Sequence, residues 1–168
     1  MKILSLALAL LLISIGADAQ NQYESTVDNG TRILKGIISR DLLEKDSSFG
    51  WYAENQKDYK PNAEALNGLK KNADSIQLIV FMGTWCGDSH YIIPKFFNLT
   101  DAAGFKANHI SLIGVDRQKK TLGYLSESLN VLNVPTIIVM KNGKELGRVV
   151  EYGKSGSYDK DLGEILNK

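Results

Sequence analysis

One stretch near the middle of the chain constrains its fold more than any other. Residues 76–82 form an almost unbroken apolar run of strand length, which is typical of a strand buried on both faces of a sheet. The sequence Thr-Trp-Cys-Gly-Asp-Ser-His follows at 84–90 and contains Cys86, the only cysteine. A buried strand that leads into a helix presents this thiol at the helix N-terminus, whose partial positive charge favours a thiolate. We therefore expect the fold to be organised around one sulfur atom.

Length and charge narrow the classes of protein that remain. A chain of 168 residues is long enough for one domain with a real core and a short extension. Its hydrophobic fraction of 43% and charged fraction of 23% are ordinary for a globular protein. The formal net charge of +1, with no basic stripe, argues against a nucleic acid as an electrostatically bound partner.

The first 19 residues are typical of a signal peptide. A positive start precedes the largely apolar residues 3–15, and the small residues Ala17 and Ala19 suit a signal peptidase. A membrane anchor is the alternative, but the apolar run is shorter than the about 20 residues that span a bilayer. We expect residues 1–19 to be removed, so that the mature chain begins at Gln20 and is periplasmic or secreted, with no stable membrane insertion.

A single cysteine has consequences in an oxidising compartment. Disulfides persist there, yet Cys86 has no second cysteine inside the chain with which to pair. It is therefore a buried inert thiol, a reactive monothiol or one half of an intermolecular disulfide. A metal cluster built on several cysteines is excluded, and we expect no cofactor and no bound metal.

The order of the predicted elements indicates an α/β fold with a mixed sheet. Residues 20–60 form an N-terminal extension with a loose polar lead-in over 20–30, a first strand, and a short helix capped by Ser39. In the domain over residues 61–168, helices and strands alternate, which predicts parallel pairing, and Asn142-Gly143 predicts a final antiparallel hairpin. The predicted helices cover 62–72, 87–97, 116–129 and the residues after Ser157, and the predicted strands cover 31–38, 76–82, 109–115, 136–140 and 145–151.

Four spaced features of residues 62–168 resemble a known family. They are Trp85-Cys86-Gly87 after a buried strand, Pro94 within the next helix, Val134-Pro135-Thr136 before a strand, and Lys141-Asn142-Gly143. In this order and spacing they resemble the thioredoxin superfamily. The resemblance implies a thioredoxin-like three-layer fold, whose mixed central sheet combines a parallel pair with a C-terminal antiparallel hairpin and is flanked by helices. It also implies a cis bond before Pro135, in a loop that binds an extended substrate segment.

The motif departs from that family where the chemistry is decided. The family's redox motif is Cys-x-x-Cys, whereas Ser89 here replaces the second, resolving cysteine. A serine hydroxyl cannot release a mixed disulfide, because oxygen does not exchange with a disulfide. Val80, six residues before the cysteine, also occupies the position of a buried carboxylate that the family's reducing members carry.

The residues that follow Cys86 have opposing expected effects on it. Asp88 replaces the family's usual proline, and its negative charge opposes a thiolate. His90 lies four residues after the cysteine on the same helix face, where a protonated imidazole would favour a thiolate. A partly exposed histidine without a role is the alternative, because such neighbours arise freely on helices. Gly87, Asp88 and His90 are thus predicted to support the site.

Two functions stay open on these grounds. In the first, Cys86 exchanges with protein or small-molecule thiols and disulfides, Ser89 donates a hydrogen bond to its thiolate, and an external thiol completes the cycle. Trp85 and the loop of Val134 and Pro135 would bind the substrate. In the second, the chain is a redox-inactive binding module that uses the pocket beside Trp85 and this loop.

Two further hypotheses have less support in the sequence. Copper delivery would use Cys86 and His90, but two ligands at this spacing make an incomplete site. A peroxidase of this superfamily would have threonine three residues before its cysteine, where Gly83 stands.

Overall fold

The computed structural model describes residues 22–168, and a six-stranded sheet runs through them. The predicted signal peptide, residues 1–19, lies outside the described residues. None of the helices within the described range has the length and apolar character needed to cross a membrane. The strands are β1 (Tyr23–Asp28), β2 (Thr31–Ile38), β3 (Gln77–Met82), β4 (Ile110–Gly114), β5 (Thr136–Lys141) and β6 (Lys144–Val150). The helices are α1 (Arg40–Lys45), α2 (Trp51–Asn55), α3 (Ala63–Asn72), α4 (Gly87–Ala102), α5 (Leu125–Ser128) and α6 (Tyr158–Leu166), with short 3-10 turns at Ser47–Phe49, Ala107–His109 and Leu122–Tyr124.

The sheet has the order β1-β2-β4-β3-β5-β6, with β4 and β3 innermost. β3 is parallel to β4, and every other neighbouring pair is antiparallel, so the predicted parallel pair and C-terminal hairpin are confirmed. Side chains of β3 alternate between two cores. Leu78, Val80 and Met82 join the larger core with α3, α4 and α6, and Phe81 joins the smaller core beside α5.

The N-terminal extension adds two strands to the sheet, so the prediction of a loose lead-in over residues 20–30 is wrong. β1 and β2 form a hairpin, and its turn residues Asn29 and Gly30 have φ of 48° and 77°, the positive values that a tight two-residue turn favours. β2 in turn pairs with β4. Most of β1 is exposed, and an edge strand of this kind lacks the apolar alternation that predicts strands.

The predicted helix over residues 116–129 is also wrong. The Asp116 carboxylate accepts two backbone N–H groups of the following loop, at 3.0 and 2.9 Å, and such local bonds close a turn instead of starting a helix. Farther along, Gly123 and Tyr124 have φ of 65° and 54°, and left-handed residues interrupt a helix. Leu122 therefore belongs to a 3-10 turn, Leu125 begins the short α5, and Leu129 is the C-cap residue of α5.

The other predicted elements are present, with small shifts at their ends. Ser39 caps α1 by accepting the N–H of Leu42 at 3.2 Å. α3 begins after Asn62, whose side chain caps it, and α4 continues past the predicted end at residue 97 to Ala102. These elements hold the junction between β3 and α4, where the cysteine lies.

Candidate thiol site

Cys86 occupies the junction between β3 and α4. It is the N-cap residue of α4, with extended angles of φ −97° and ψ 122°, and its carbonyl oxygen accepts the N–H of His90 at 3.0 Å. Its own N–H donates to the carbonyl of Gly83 at 3.0 Å, which closes a tight turn between strand and helix. Cys86 is half-buried and packs against the smaller core, so the residue is partly open to solvent.

The Cys86 thiol contacts the loop that is predicted to bind substrate. Its Sγ lies 3.2 Å from the carbonyl oxygen of Val134, and the Val134–Pro135 bond is cis, as the resemblance implies. Because an S–H group donates and a carbonyl accepts, this contact is a hydrogen bond from the resting thiol to the loop. The fold thus brings together Cys86, Val134 and Pro135 from distant parts of the sequence.

Trp85 is fixed beside the thiol by contacts of its ring. The indole Nε1–H donates to the carbonyl oxygen of Val115 at 3.0 Å. The cationic groups of Arg117 and Lys119 each lie 5.6 Å from the ring centroid, within the range of a cation–π contact. A Cβ on Gly83 would lie 2.7 Å from the same ring. A threonine there would clash with Trp85, so the structure gives the peroxidase hypothesis no support.

Ser89 supports the turn and not the thiol in the resting structure. Its side chain is completely buried, and its Oγ accepts the backbone N–H of Gly83 at 3.2 Å. Within the described part of the chain, no hydrogen bond joins Ser89 to Cys86. The predicted bond from this hydroxyl to the sulfur is therefore not formed in the resting protein, where the thiol donates to Val134.

Asp88 and Gly87 occupy the first turn of α4. Burial raises the pKa of Tyr152, and the nearby Asp88 carboxylate raises that pKa further. The Asp88 charge therefore lies near Tyr152 on one side of the site. A Cβ on Gly87 would meet no atom within 4 Å, so packing does not require glycine at that position.

His90 does not supply the positive charge that the sequence led us to consider. Its Nε2 lies 2.8 Å from the Thr84 carbonyl oxygen, and because a carbonyl only accepts, the ring proton is on Nε2. Its ring stacks on Trp51, with centroids 4.1 Å apart and planes 13° apart. Burial lowers the pKa of His90, which favours the neutral ring. Nor is it a histidine without a role, because it joins the cysteine turn to α2.

Thr84 is a positioning residue that sequence reasoning missed. Its Oγ1 accepts the N–H of Leu34 at 3.1 Å and donates to the carbonyl oxygen of Arg32 at 2.8 Å. The hydrogen-bond ladder between β2 and β4 ends at the pair of Gly36 and Gly114. Beyond that pair, the Thr84 side chain forms hydrogen bonds with the backbone of β2. No local pattern predicts this contact, because the residues it joins are about 50 positions apart.

The described residues offer no evident metal centre. Within 22–168, no group of three or more histidine, cysteine, aspartate or glutamate side chains is placed to hold a metal ion. His90 directs its Nε2 at a carbonyl and stacks its ring on Trp51. The pair of Cys86 and His90 is thus poorly arranged for the copper delivery considered above.

We expect His90 to make the native state less stable as the pH falls. Because burial lowers its folded pKa, the unfolded chain takes up this proton first, at its ordinary value near 6.5. The contribution of His90 to the free energy of unfolding is therefore fully present above that pH and decreases below it. Urea unfolding at about pH 8 and about pH 5.5 spans this window and stays above the ordinary carboxylate range. The variant His90→Gln should lose most of the dependence, whereas His109→Gln should keep it. An unchanged dependence in His90→Gln would contradict this assignment.

Residues 60–162 match the family model described as Thioredoxin. This match covers more than half of the chain, and its limits include the β3–α4 junction, the cis-proline loop and the C-terminal hairpin. The chain therefore belongs to the thioredoxin family.

Individual relatives share part of this chain. A thioredoxin of Chlamydia pneumoniae is 33% identical over 97 residues, which are 57% of this chain and 84% of that protein. A TPR repeat-containing thioredoxin of Arabidopsis thaliana is 29% identical over 101 residues, 60% of this chain. The chain spans only 20% and 25% of the length of two curated relatives that it matches. A crystal structure of a Pseudomonas aeruginosa protein of unknown function is similar in fold, with a TM-score of 0.51, 16% identity, and coverage of 75% of this chain and 87% of that one.

Proposed function

We propose that this chain is a monothiol thiol–disulfide exchanger that acts through Cys86. The contact of 3.2 Å between Cys86 Sγ and the Val134 carbonyl oxygen supports the proposal most strongly. It sets a half-buried thiol against a loop that, in this family, offers backbone groups to an extended substrate segment. A disulfide carried by such a segment would have one sulfur next to Cys86. Membership of the thioredoxin family supports the same class of chemistry.

The exchange takes two steps, and the thiol that completes the second step supplies the only reducing equivalents that it needs. First, the Cys86 thiolate attacks one sulfur of the substrate disulfide, the S–S bond breaks, and the departing sulfur takes up a proton. Second, another thiol, from the substrate or from a partner, loses its proton and attacks the substrate sulfur of the mixed disulfide. Cys86 then leaves as a thiolate. The net result is an exchange of disulfide partners, with each proton released by one thiol regained by another.

The neighbouring residues have distinct parts in this cycle. The N-terminal end of α4 stabilises the thiolate once the thiol leaves the Val134 carbonyl. Trp85 and the loop of Val134 and Pro135 bind the substrate on either side of the sulfur. Ser89 holds the turn through Gly83, but its oxygen cannot resolve the mixed disulfide. The second thiol must therefore come from outside this chain.

A peptide that contains a disulfide tests the proposal. We expect intact-mass analysis to detect one covalent adduct on the native protein and none on Cys86→Ser. An added small thiol should release the adduct and regenerate the free protein. Reversible binding of the peptide without an adduct would overturn exchange in favour of the redox-inactive binding module. Neither binding nor an adduct would contradict both functions at this site.

We also propose that the chain is exported, with residues 1–19 as its signal peptide. The support is the sequence pattern of a positive start, an apolar run and small residues before Gln20. Expression of the full chain in a bacterial host should give a protein in the exported fraction, and its mass should be that of a chain that begins at Gln20. A full-length chain retained in the cytoplasm would contradict export.

A further inference from the structure

A groove lined by tyrosines lies beside α4, α6 and the end of the N-terminal extension. Its volume is about 360 Å³, near the lower end of the range of small-molecule sites. Rings of Tyr59, Tyr91, Tyr152 and Tyr158 line it. The Tyr91 and Tyr152 rings lie 5.9 Å apart and are 46% and 36% exposed. The groove therefore offers two partly exposed aromatic rings, set among polar residues, that a ligand can cover.

One buried cation lines this groove without a counter-ion. Lys95 is only 9% exposed, and its ammonium group donates to the Tyr91 carbonyl oxygen at 3.3 Å and lies 3.2 Å from the Tyr91 ring centroid. Within residues 22–168, no carboxylate forms an ion pair with it. Burial lowers the pKa of Lys95, as expected for an ammonium that no negative charge compensates.

The acidic residues of the groove are engaged elsewhere or face solvent. Asp159 accepts hydrogen bonds from the Tyr59 and Ser157 hydroxyl groups, at 2.8 Å each, and from a backbone N–H at 3.1 Å. These donors join the extension to α6 and use the carboxylate fully. Asp58 and Lys60 line the groove as well, but both are exposed. Neither carboxylate forms an ion pair with Lys95 in the described residues.

Burying the Lys95 ammonium costs stability, and the Tyr91 carbonyl and ring that it contacts offset part of the cost without neutralising the charge. A methionine would fill the same space beside Tyr91 without removing a charge from water. The ammonium would be compensated, however, by a negative group bound in the groove. The rings of Tyr91 and Tyr152 form the aromatic part of the open surface in this groove.

We propose that this groove binds a small aromatic carboxylate, with the carboxylate at the Lys95 ammonium and the ring against Tyr91 and Tyr152. The ion pair would form in a partly desolvated site, where it is stronger than in water, and the aromatic contacts would orient the ring. An aromatic residue at the C-terminus of a peptide carries the same chemistry. Asp88 and Lys95 are seven residues apart on α4, or about 10 Å along its axis, whereas Tyr152 lies near Asp88 and also lines the groove. The groove therefore adjoins the thiol site, but binding at Lys95 does not require a reactive sulfur.

Titration of the protein with 3-phenylpropionate, followed by its NMR chemical shifts, tests the proposal directly. We expect saturable shifts centred on Tyr91, Lys95 and Tyr152, and affinity at least tenfold weaker in Lys95→Met. The variant Lys144→Met removes a positive charge from the distant β5–β6 turn and should bind as the wild type does. Cys86→Ser should also bind normally, which separates this site from the exchange chemistry.

A tripeptide that ends in phenylalanine distinguishes the two sources of the carboxylate. Binding of the free-acid peptide, and not of its C-terminal amide, would assign the site to chain termini as well as to free acids. Binding of 3-phenylpropionate alone would restrict it to free acids. Equal affinity for the acid and the amide, unchanged affinity in Lys95→Met, or no shifts in the groove with either probe would overturn the proposal. Thermal unfolding checks that Lys95→Met is folded, and we expect it to be no less stable than the wild type.

Discussion

Replacing Ser89 with cysteine should convert the monothiol site into one that forms an internal disulfide. Residues three apart at the start of a helix have Cα atoms about 5 Å apart, within the range that a disulfide bridges. Ser89 is fully buried and its Oγ lies 3.2 Å from the Gly83 N–H, so the new sulfur would lie in the turn next to Cys86. A mild oxidant should therefore remove both free thiols of Ser89→Cys without forming dimers.

The same variant should change how a mixed disulfide is released. An internal thiol attacks far more often than one in solution, so the adduct on Cys86 should disappear at least about tenfold faster without added thiol. Ser126→Cys is a matched control, because it introduces a cysteine at another buried serine, outside the β3–α4 junction. It should keep two free thiols and a long-lived adduct. If Ser89→Cys also keeps two free thiols under oxidant, residue 89 does not lie within disulfide reach of Cys86 and the account of this turn is contradicted.

Replacing Thr84 with valine should lower the free energy of unfolding by about 2–4 kcal/mol, because two backbone groups lose their buried partner. These are the Leu34 N–H at 3.1 Å and the Arg32 carbonyl at 2.8 Å. Valine has nearly the same shape as threonine, so packing changes little and the hydrogen bonds account for the loss. The measurement is urea unfolding, with amide hydrogen exchange at Leu34 as the local readout.

Thr100→Val provides the matched control for that variant. Thr100 is also buried, but its hydroxyl donates to the Phe97 carbonyl within the same helix. The loss there should be clearly smaller, and the Leu34 amide should keep its protection. Equal losses in the two variants, or an unchanged exchange rate at Leu34, would show that Thr84 does not join the cysteine turn to β2.

The fold was predictable where a segment is apolar or carries its own turn residues. The buried run of β3 and the Asn142-Gly143 turn were predicted correctly for this reason. The other Asn-Gly turn, at residues 29–30, was missed because the adjacent β1 is a largely exposed edge strand without an apolar pattern. The false helix over residues 116–129 arose because leucines at helical spacing are shared between a 3-10 turn and α5, across two left-handed residues.

The site was predictable only along the chain and not across it. The local sequence located Cys86 at a helix start, and the resemblance located the Val134–Pro135 loop. The bonds of Thr84 to β2 and the stacking of Trp51 on His90 are contacts between segments that are distant in sequence. The lack of an ion-pair partner for Lys95 likewise depends on which segments the fold brings together. Local periodicity carries no information on such pairs, so the stacking of His90 on Trp51 could not be predicted from the sequence.

The reactivity of Cys86 in the folded protein tests the central proposal most directly. The measurement is the rate at which a small disulfide reagent modifies this single thiol near neutral pH, in the native protein and again in concentrated urea. The half-buried sulfur at the N-terminus of α4 should react at least as fast in the native protein as in the unfolded chain, with Cys86→Ser unreactive in both. A thiol that reacts only after unfolding would contradict exchange and leave the binding module as the function of this site.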